Sequence, residues 1–264
     1  MLTNHQKMII LFRSSEAAVS AGSLGDETKE GLRWNGKHKL EIIRKCYLSI
    51  QRSLDENDRI IIIDDRTTEN TLKWMEQNTK AKFSIHKITP LPELRANHPY
   101  PTYHPVLANS CPELMEFLIE LSEQNKDELI YICEDDYLHI PQAIEAMKAF
   151  FGNKFGGFYA PQDYPDRYLF DSDRMCRLEI TNYGHVRSIP SATLTIAALG
   201  STWLKFKFEL LRAGAFADDT WTWKAFRQVG AYCPIPGHAT HLQDGCLTPL
   251  IPWDQVYDSI STSG

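Results

Sequence analysis

Short apolar runs bounded by polar residues recur along the chain, and segments with apolar residues every three or four positions separate them. Met8-Ile9-Ile10-Leu11-Phe12 and Ile60-Ile61-Ile62-Ile63 are continuous apolar runs of strand length, the pattern of strands covered on both faces. Between them, Leu40, Ile43, Tyr47, Ile50 and Leu54 recur at helical spacing, while Lys39, Arg44, Lys45 and Gln51 take other directions, which predicts an amphipathic helix over Lys37 to Leu54. Thr67 to Asn78 has helical composition with Leu72 and Met75 on one side, Lys82 to Ile88 alternates as a strand does, and Leu129 to Cys133 reads as a further buried strand. Ser110-Cys111-Pro112-Glu113 fits a capping box ahead of Leu114, Phe117, Leu118 and Leu121, so a helix start is predicted there. Pro141 fits the first turn of a helix running through Phe151.

Phe155 to Ala160 and Ala192 to Leu199 read as later strands. Ser201 to Arg212 and Thr220 to Val229 read as helices, the second stopped by Gly230. Two stretches break the alternation: Ser14 to Gly36, polar with Gly22, Gly25, Gly31 and Gly36, and Pro90 to Pro105, whose prolines lack the amide donors of a ladder or helix. The first is expected to be a flexible loop near the site, the second a plain loop. Strands alternating with helices predict an α/β domain with a mostly parallel central sheet and helices on both faces, in which ligands bind beyond the carboxyl ends of strands.

Composition narrows the function classes. A chain of 264 residues, 43% hydrophobic and 23% charged, suits one globular domain. The net charge of -6, with basic residues spread along the chain, excludes an extended nucleic-acid surface. No apolar run approaches the roughly 20 residues of a membrane-spanning helix, and Met1 to Lys7 lacks the pattern of an export signal, so a cytoplasmic location is expected. The cysteines, Cys46, Cys111, Cys133, Cys176, Cys233 and Cys246, form no close pair, and neither disulfides nor a zinc site is expected.

Two acidic clusters stand at predicted strand ends. Asp64-Asp65 ends the isoleucine run, either as a turn in which Asp65 caps the next helix or as carboxylates that accept hydrogen bonds from a base or ribose. Glu134-Asp135-Asp136 places three acids in succession, which raise one another's pKa unless solvent or a cation compensates. A hard divalent ion held by one or two carboxylates and a substrate's phosphates would do so; the alternative is a solvated acidic turn.

These residues carry a resemblance to the GT-A glycosyltransferases, to family 2 most of all, and it extends over most of the chain. Arg59 to Thr71 resembles the family's strand followed by Asp-Asp-Gly-Ser-Thr-Asp-x-Thr, whose acid binds the base, although Arg66 stands where the family has glycine. Tyr131-Ile132-Cys133-Glu134-Asp135-Asp136-Tyr137-Leu138 is similar to the Asp-x-Asp element that sets a metal against the donor diphosphate, which implies Asp136 and Glu134 as ligands. Ala217-Asp218-Asp219-Thr220 is similar to the acidic pair that supplies the general base in inverting members, which implies Asp219, with Asp218 as the alternative; both also fit ordinary helix capping. Within Gly237-His238-Ala239-Thr240-His241 the resemblance implies His241 as a third metal ligand, with His238 in reserve; packing histidines are the other reading.

The resemblance thus implies a GT-A fold with a nucleotide-binding part over residues 1–136 and an acceptor-binding part over 137–264. It implies Mn2+ or Mg2+, a UDP- or GDP-linked sugar as donor, and a glycan or other hydroxyl as acceptor. Asp65, Asp64, Arg13, Lys39 and Asp135 are the candidate donor contacts, joined by Arg187. Gln162 to Tyr168, Trp221 and Trp223 offer the hydrogen-bonding and aromatic mixture that sugars use, or else pack in the core. The alternatives are a sugar nucleotidyltransferase, whose Gly-rich loop is missing at Phe12-Arg13-Ser14-Ser15-Glu16, and a non-catalytic sugar-binding module. A dehalogenase-type phosphatase fits less well, because Arg66 stands where its second aspartate belongs.

Overall fold

The computed structural model describes residues 6–16, 34–88, 105–152, 155–169, 175–216 and 221–262. Its centre is set by three of the apolar runs. Strands β1 (Met8–Ser14), β2 (Arg59–Asp64) and β4 (Leu129–Glu134) pair in parallel with β1 in the middle, and β3 (Lys82–Lys87) extends the sheet beside β2. The remaining strands are β5 (Tyr137–His139), β6 (Phe158–Tyr159), β7 (Leu178–Thr181), β8 (Gly184–Ser188), β9 (Ile196–Leu199), β10 (Ala231–Ile235) and β11 (Ala239–His241). The large sheet runs β3-β2-β1-β4-β9-β6-β10-β8-β7, with β9 antiparallel to both β4 and β6, β10 parallel to β6, and the β7–β8 hairpin antiparallel at the edge. Strands β5 and β11 form a separate antiparallel pair.

Because successive side chains on a strand point to opposite faces, the continuous apolar runs require cover on both sides. Ile9, Leu11, Ile61, Ile63, Ile130 and Ile132 pack against α3 (Pro105–Gln124), α5 (Gly200–Lys205), α6 (Lys207–Phe216) and α7 (Trp221–Val229). Met8, Ile10, Phe12, Ile60, Ile62, Tyr131 and Cys133 pack against α1 (Lys39–Gln51), α2 (Glu69–Gln77) and α4 (Ala143–Gly152). Each such isoleucine contributes about 1.5–3 kcal/mol by leaving water, so the strands that carry the acidic turns are held firmly from both faces. A third, smaller cluster joins Trp34, Ile42, Leu138 and Leu242 to Trp253 and Tyr257 of α8 (Trp253–Asp258), which fastens the C-terminal part beside β5 and β11. The expected α/β architecture, parallel through β3-β2-β1-β4 with helices on both faces, is the one observed.

Several boundaries differ from expectation. Helix α3 begins at Pro105 and runs through Pro112, so the apparent capping box at Ser110 is not a helix start. Pro105 suits a first turn, and tertiary packing holds the interior proline: a Cβ on Gly214 of α6 would lie 3.0 Å from the Pro112 Cα, which places the two helices in close contact there. The predicted helix over Ser201 to Arg212 is two helices, α5 and α6. The later strands are shorter than the apolar runs suggested, and β9 spans Ile196–Leu199. Most of the predicted loops fall within residues 17–33 and 89–104, outside the described residues. All six cysteines are free thiols. Among the described residues no helix is long and apolar enough to cross a membrane.

Candidate active site

Register aligns the carboxyl ends of the three central strands: Ser14 lies opposite Asp64, and Arg13 opposite Glu134. The chain leaves β2 through a tight turn. Asp64 Oδ1 accepts the backbone N–H of Thr67, three residues on, at 2.8 Å, and Arg66 takes a positive φ of 64° between them. Thr68, not Asp65, caps α2, its hydroxyl accepting the Thr71 N–H, while Glu16 accepts from both the Thr68 N–H and its hydroxyl. Asp64 is thereby a turn-former, and Asp65 is released from capping.

Asp65 is 4% exposed. One of its oxygens, Oδ1, accepts the Arg66 Nε–H at 2.9 Å, and the other, Oδ2, is buried with no hydrogen-bond donor among the described residues. Leaving a buried carboxylate oxygen without a donor costs about 1–3 kcal/mol or more.

The acidic turn follows β4 directly, and each of its three carboxylates has a different neighbour. Glu134 meets Arg13 at 3.0 Å. Asp135 is buried and accepts the Ser15 N–H at 2.8 Å, with the Lys39 ammonium 3.9 Å from the same oxygen, so it ties the end of β1 and the start of α1 to the turn. Asp136 meets His241, with Nε2 and Oδ2 3.1 Å apart. His241 arrives there because β11 pairs with β5 in a register that sets it opposite Tyr137, and because the Leu242 N–H donates to the Asp136 carbonyl at 2.9 Å.

Burial raises the pKa of Glu134, against the pull of Arg13, and raises Asp135 to about 6, against the pull of Lys39. Burial acts to lower that of His241, but the charge and hydrogen bond of Asp136 outweigh it and raise it to about 10. Without a metal, the imidazolium is the cation that compensates Asp136.

Among the described residues no three His, Cys, Asp or Glu side chains converge as a preformed metal cage. The Asp136–His241 pair nonetheless fits a hard divalent ion. Two neighbouring ligands at about 2.1 Å on an octahedral ion stand about 3 Å apart, and the pair is 3.1 Å apart. An ion held by two protein ligands leaves positions for a substrate's phosphates. Glu134 meets Arg13 through one oxygen, Oε1, and its other oxygen is not engaged by that bond.

Other candidates lie elsewhere. His238 is buried with Nδ1 3.2 Å from the Tyr159 hydroxyl, and burial lowers its pKa to about 4, so it packs as a neutral side chain away from Asp136. Arg187 is 3% exposed and faces Asp163 at 3.8 Å, in a buried group with Arg167 and Cys233. It is thus part of the core under the 162–169 loop rather than a phosphate contact. Trp221 is 4% exposed and packs on Phe158 and Trp203, so it belongs to the core and not to a sugar platform. The Trp223 side chain, Asp218 and Asp219 lie outside the described residues. Ser15 and Tyr137 were missed from sequence. Nothing marks Ser15 as a backbone donor to a residue 120 positions away; Tyr137, adjacent to the acidic turn, carried the one usable signal.

No protein-family signature and no curated protein sequence matches the chain. Among solved structures it is similar to a protein assigned as a glucose-1-phosphate thymidylyltransferase from Bacillus anthracis, crystallised with sucrose (10% identity, 98% of this chain and 97% of that one, TM-score 0.48). It is also similar to a 4-diphosphocytidyl-2C-methyl-D-erythritol synthase (14% identity, 95% of each chain, TM-score 0.40). A third is the bifunctional glycosyltransferase WbbM (9% identity, 97% of this chain and 52% of that one, TM-score 0.41).

Proposed function

We propose that the chain is a metal-dependent glycosyltransferase that moves a sugar from a nucleoside-diphosphate donor to an acceptor hydroxyl. The observation that carries the reading is the meeting of Asp136 with His241 at 3.1 Å, beside Glu134 and Asp135 and at the carboxyl ends of parallel strands. The resemblance of Glu134-Asp135-Asp136 and Asp64-Asp65 to the GT-A elements supports the same reading.

In this proposal Asp136 and His241 hold Mn2+ or Mg2+, and the unpartnered oxygen of Asp65 accepts an N–H of the donor base. Bound there, the ion supplies stabilisation of the negative charge that develops on the leaving nucleoside diphosphate. Arg13 and Lys39 keep Glu134 and Asp135 from repelling the diphosphate at full strength. Binding the ion requires His241 to give up its proton, which Asp136 otherwise retains on the imidazole. Asp219, with Asp218 as the alternative, is proposed to take the proton of the acceptor hydroxyl, a contribution of typically 10²–10⁴-fold.

The deciding experiment incubates the protein with UDP- and GDP-sugars and Mn2+ and measures release of the nucleoside diphosphate, with Asp136→Ala alongside. Release that needs Mn2+ and disappears in the variant is expected. Release unaffected by exhaustive chelation, or retained by Asp136→Ala, refutes the reading. Formation of nucleoside triphosphate from nucleotide sugar and pyrophosphate would instead assign a nucleotidyltransferase.

A further inference from the structure

We infer that Tyr137 is the positioning residue for His241, and that its hydroxyl anchors the imidazole to the 162–169 loop. The inference rests on His241 being an ion ligand, as proposed above, but its geometric part stands without the ion.

Tyr137 is wholly buried, and its ring lies against the His241 imidazole with centroids 5.0 Å apart and planes 7° from parallel. The two residues face each other across the β5–β11 pair, so strand register enforces the contact. A histidine side chain turns about two torsions; Asp136 holds the ring at Nε2, and the Cys246 side chain hydrogen-bonds it as well. Hydrogen bonds lie in the plane of the ring, and the flat tyrosine face fixes the direction in which that plane faces.

The tyrosine is itself fixed at its far end. Its hydroxyl lies 3.0 Å from Thr193 Oγ1 and bonds to the Tyr164 hydroxyl, which lies 2.8 Å from the same threonine oxygen. Three hydroxyls closing a ring satisfy one another's donors and acceptors, so the ring direction of Tyr137 is determined at both ends. Tyr164 precedes the turn Pro165–Tyr168, and the Arg167 guanidinium lies over its ring at 5.3 Å. A shift of that loop is therefore passed through two tyrosines to the imidazole.

The test compares Tyr137→Phe, Tyr137→Leu and Thr193→Val with the unaltered protein, each also in a His241→Ala background. Mn2+ binding is measured by electron paramagnetic resonance, with and without uridine diphosphate. The His241 Nε2–H proton is followed by NMR in the metal-free protein. Groups that orient a metal ligand from behind typically change affinity 10–100-fold, so Tyr137→Leu is expected to weaken Mn2+ binding roughly tenfold or more, and the two ring-preserving variants by less. None should weaken it further once His241 is alanine. The Nε2–H signal should persist in Tyr137→Phe and vanish in Tyr137→Leu.

Equal weakening with and without His241 would show a general structural effect and overturn the inference, as would an unchanged signal in Tyr137→Leu. If that variant does not fold, Tyr137→Phe and Thr193→Val decide: affinity equal to wild type in both overturns the inference. If the unaltered protein binds no Mn2+ yet Tyr137→Leu loses the signal, the ion reading fails and the positioning role stands.

Discussion

His139 offers a direct measure of how firmly β5 is held behind the acidic turn. The side chain is wholly buried, its Nε2 is 2.7 Å from the Tyr131 hydroxyl, and its Nδ1 is 3.1 Å from the Tyr137 carbonyl. A carbonyl only accepts, so Nδ1 carries the proton, and Nε2 accepts from the tyrosine. A second proton would have to displace that bond, and burial lowers the pKa from 6.5 to about 3. The unfolded chain takes up that proton below pH 6.5 while the folded chain does not. Stability therefore falls as the pH falls, by about 1.4 kcal/mol per pH unit between 6.5 and the folded value. From pH 7.5 to pH 5 the loss attributable to His139 is about 2 kcal/mol.

Asp135 works in the opposite sense, because its folded pKa of about 6 lies above its usual value and acid relieves its buried charge. The comparison must therefore be made between variants. His139→Asn cannot be protonated and keeps an N–H for the Tyr137 carbonyl. It should be about 1–3 kcal/mol less stable at pH 7.5, since the Tyr131 hydroxyl loses its acceptor. Between pH 7.5 and 5, urea unfolding should show wild type losing about 2 kcal/mol more than the variant. Equal losses in the two proteins would refute a neutral buried His139.

Asp65→Ala should weaken binding of a nucleoside diphosphate by tenfold or more in isothermal titration, while urea stability falls by less than about 1 kcal/mol, since the lost carboxylate had an unpartnered oxygen. Gly237→Ala would set a Cβ 2.8 Å from the Asp163 N and 2.6 Å from Thr248 Cγ2. The expected cost is about 1–3 kcal/mol, with weaker Mn2+ binding because Gly237 leads into the strand that carries His241; unfolding curves and metal titration read the two effects. Asp219→Asn should leave donor affinity within about twofold of wild type and slow single-turnover transfer by roughly 10²-fold or more.

The central strands were legible because an unbroken isoleucine or valine-like run has few other uses, and the alternation of faces then dictates where the helices lie. Glu134-Asp135-Asp136 was legible because three adjacent acids after a buried strand demand compensation. The compensating partners were not. Arg13, Lys39 and Ser15 reach the turn through strand register and helix placement, which a linear reading does not contain. His241 was reached through resemblance alone, and its arrival beside Asp136 depends on the β5–β11 pair, two strands of three residues each. Propensity misled at Pro112, where packing against Gly214 overrode a good local signal for a helix start. Of the two readings open for Trp221 the core one holds, and Arg187, whose chemistry suits a ligand, likewise has core neighbours.

Asp136 and His241 stand 105 positions apart. A ribosome must therefore complete most of the chain before the two proposed ligands can share an ion, and a nascent chain ending short of β11 lacks the imidazole that meets Asp136. Mn2+ would then act as an inspector of completeness. It would favour molecules whose last strands have docked, adding RT ln(1 + [M]/Kd) to their stability, with a larger Kd for truncated ones.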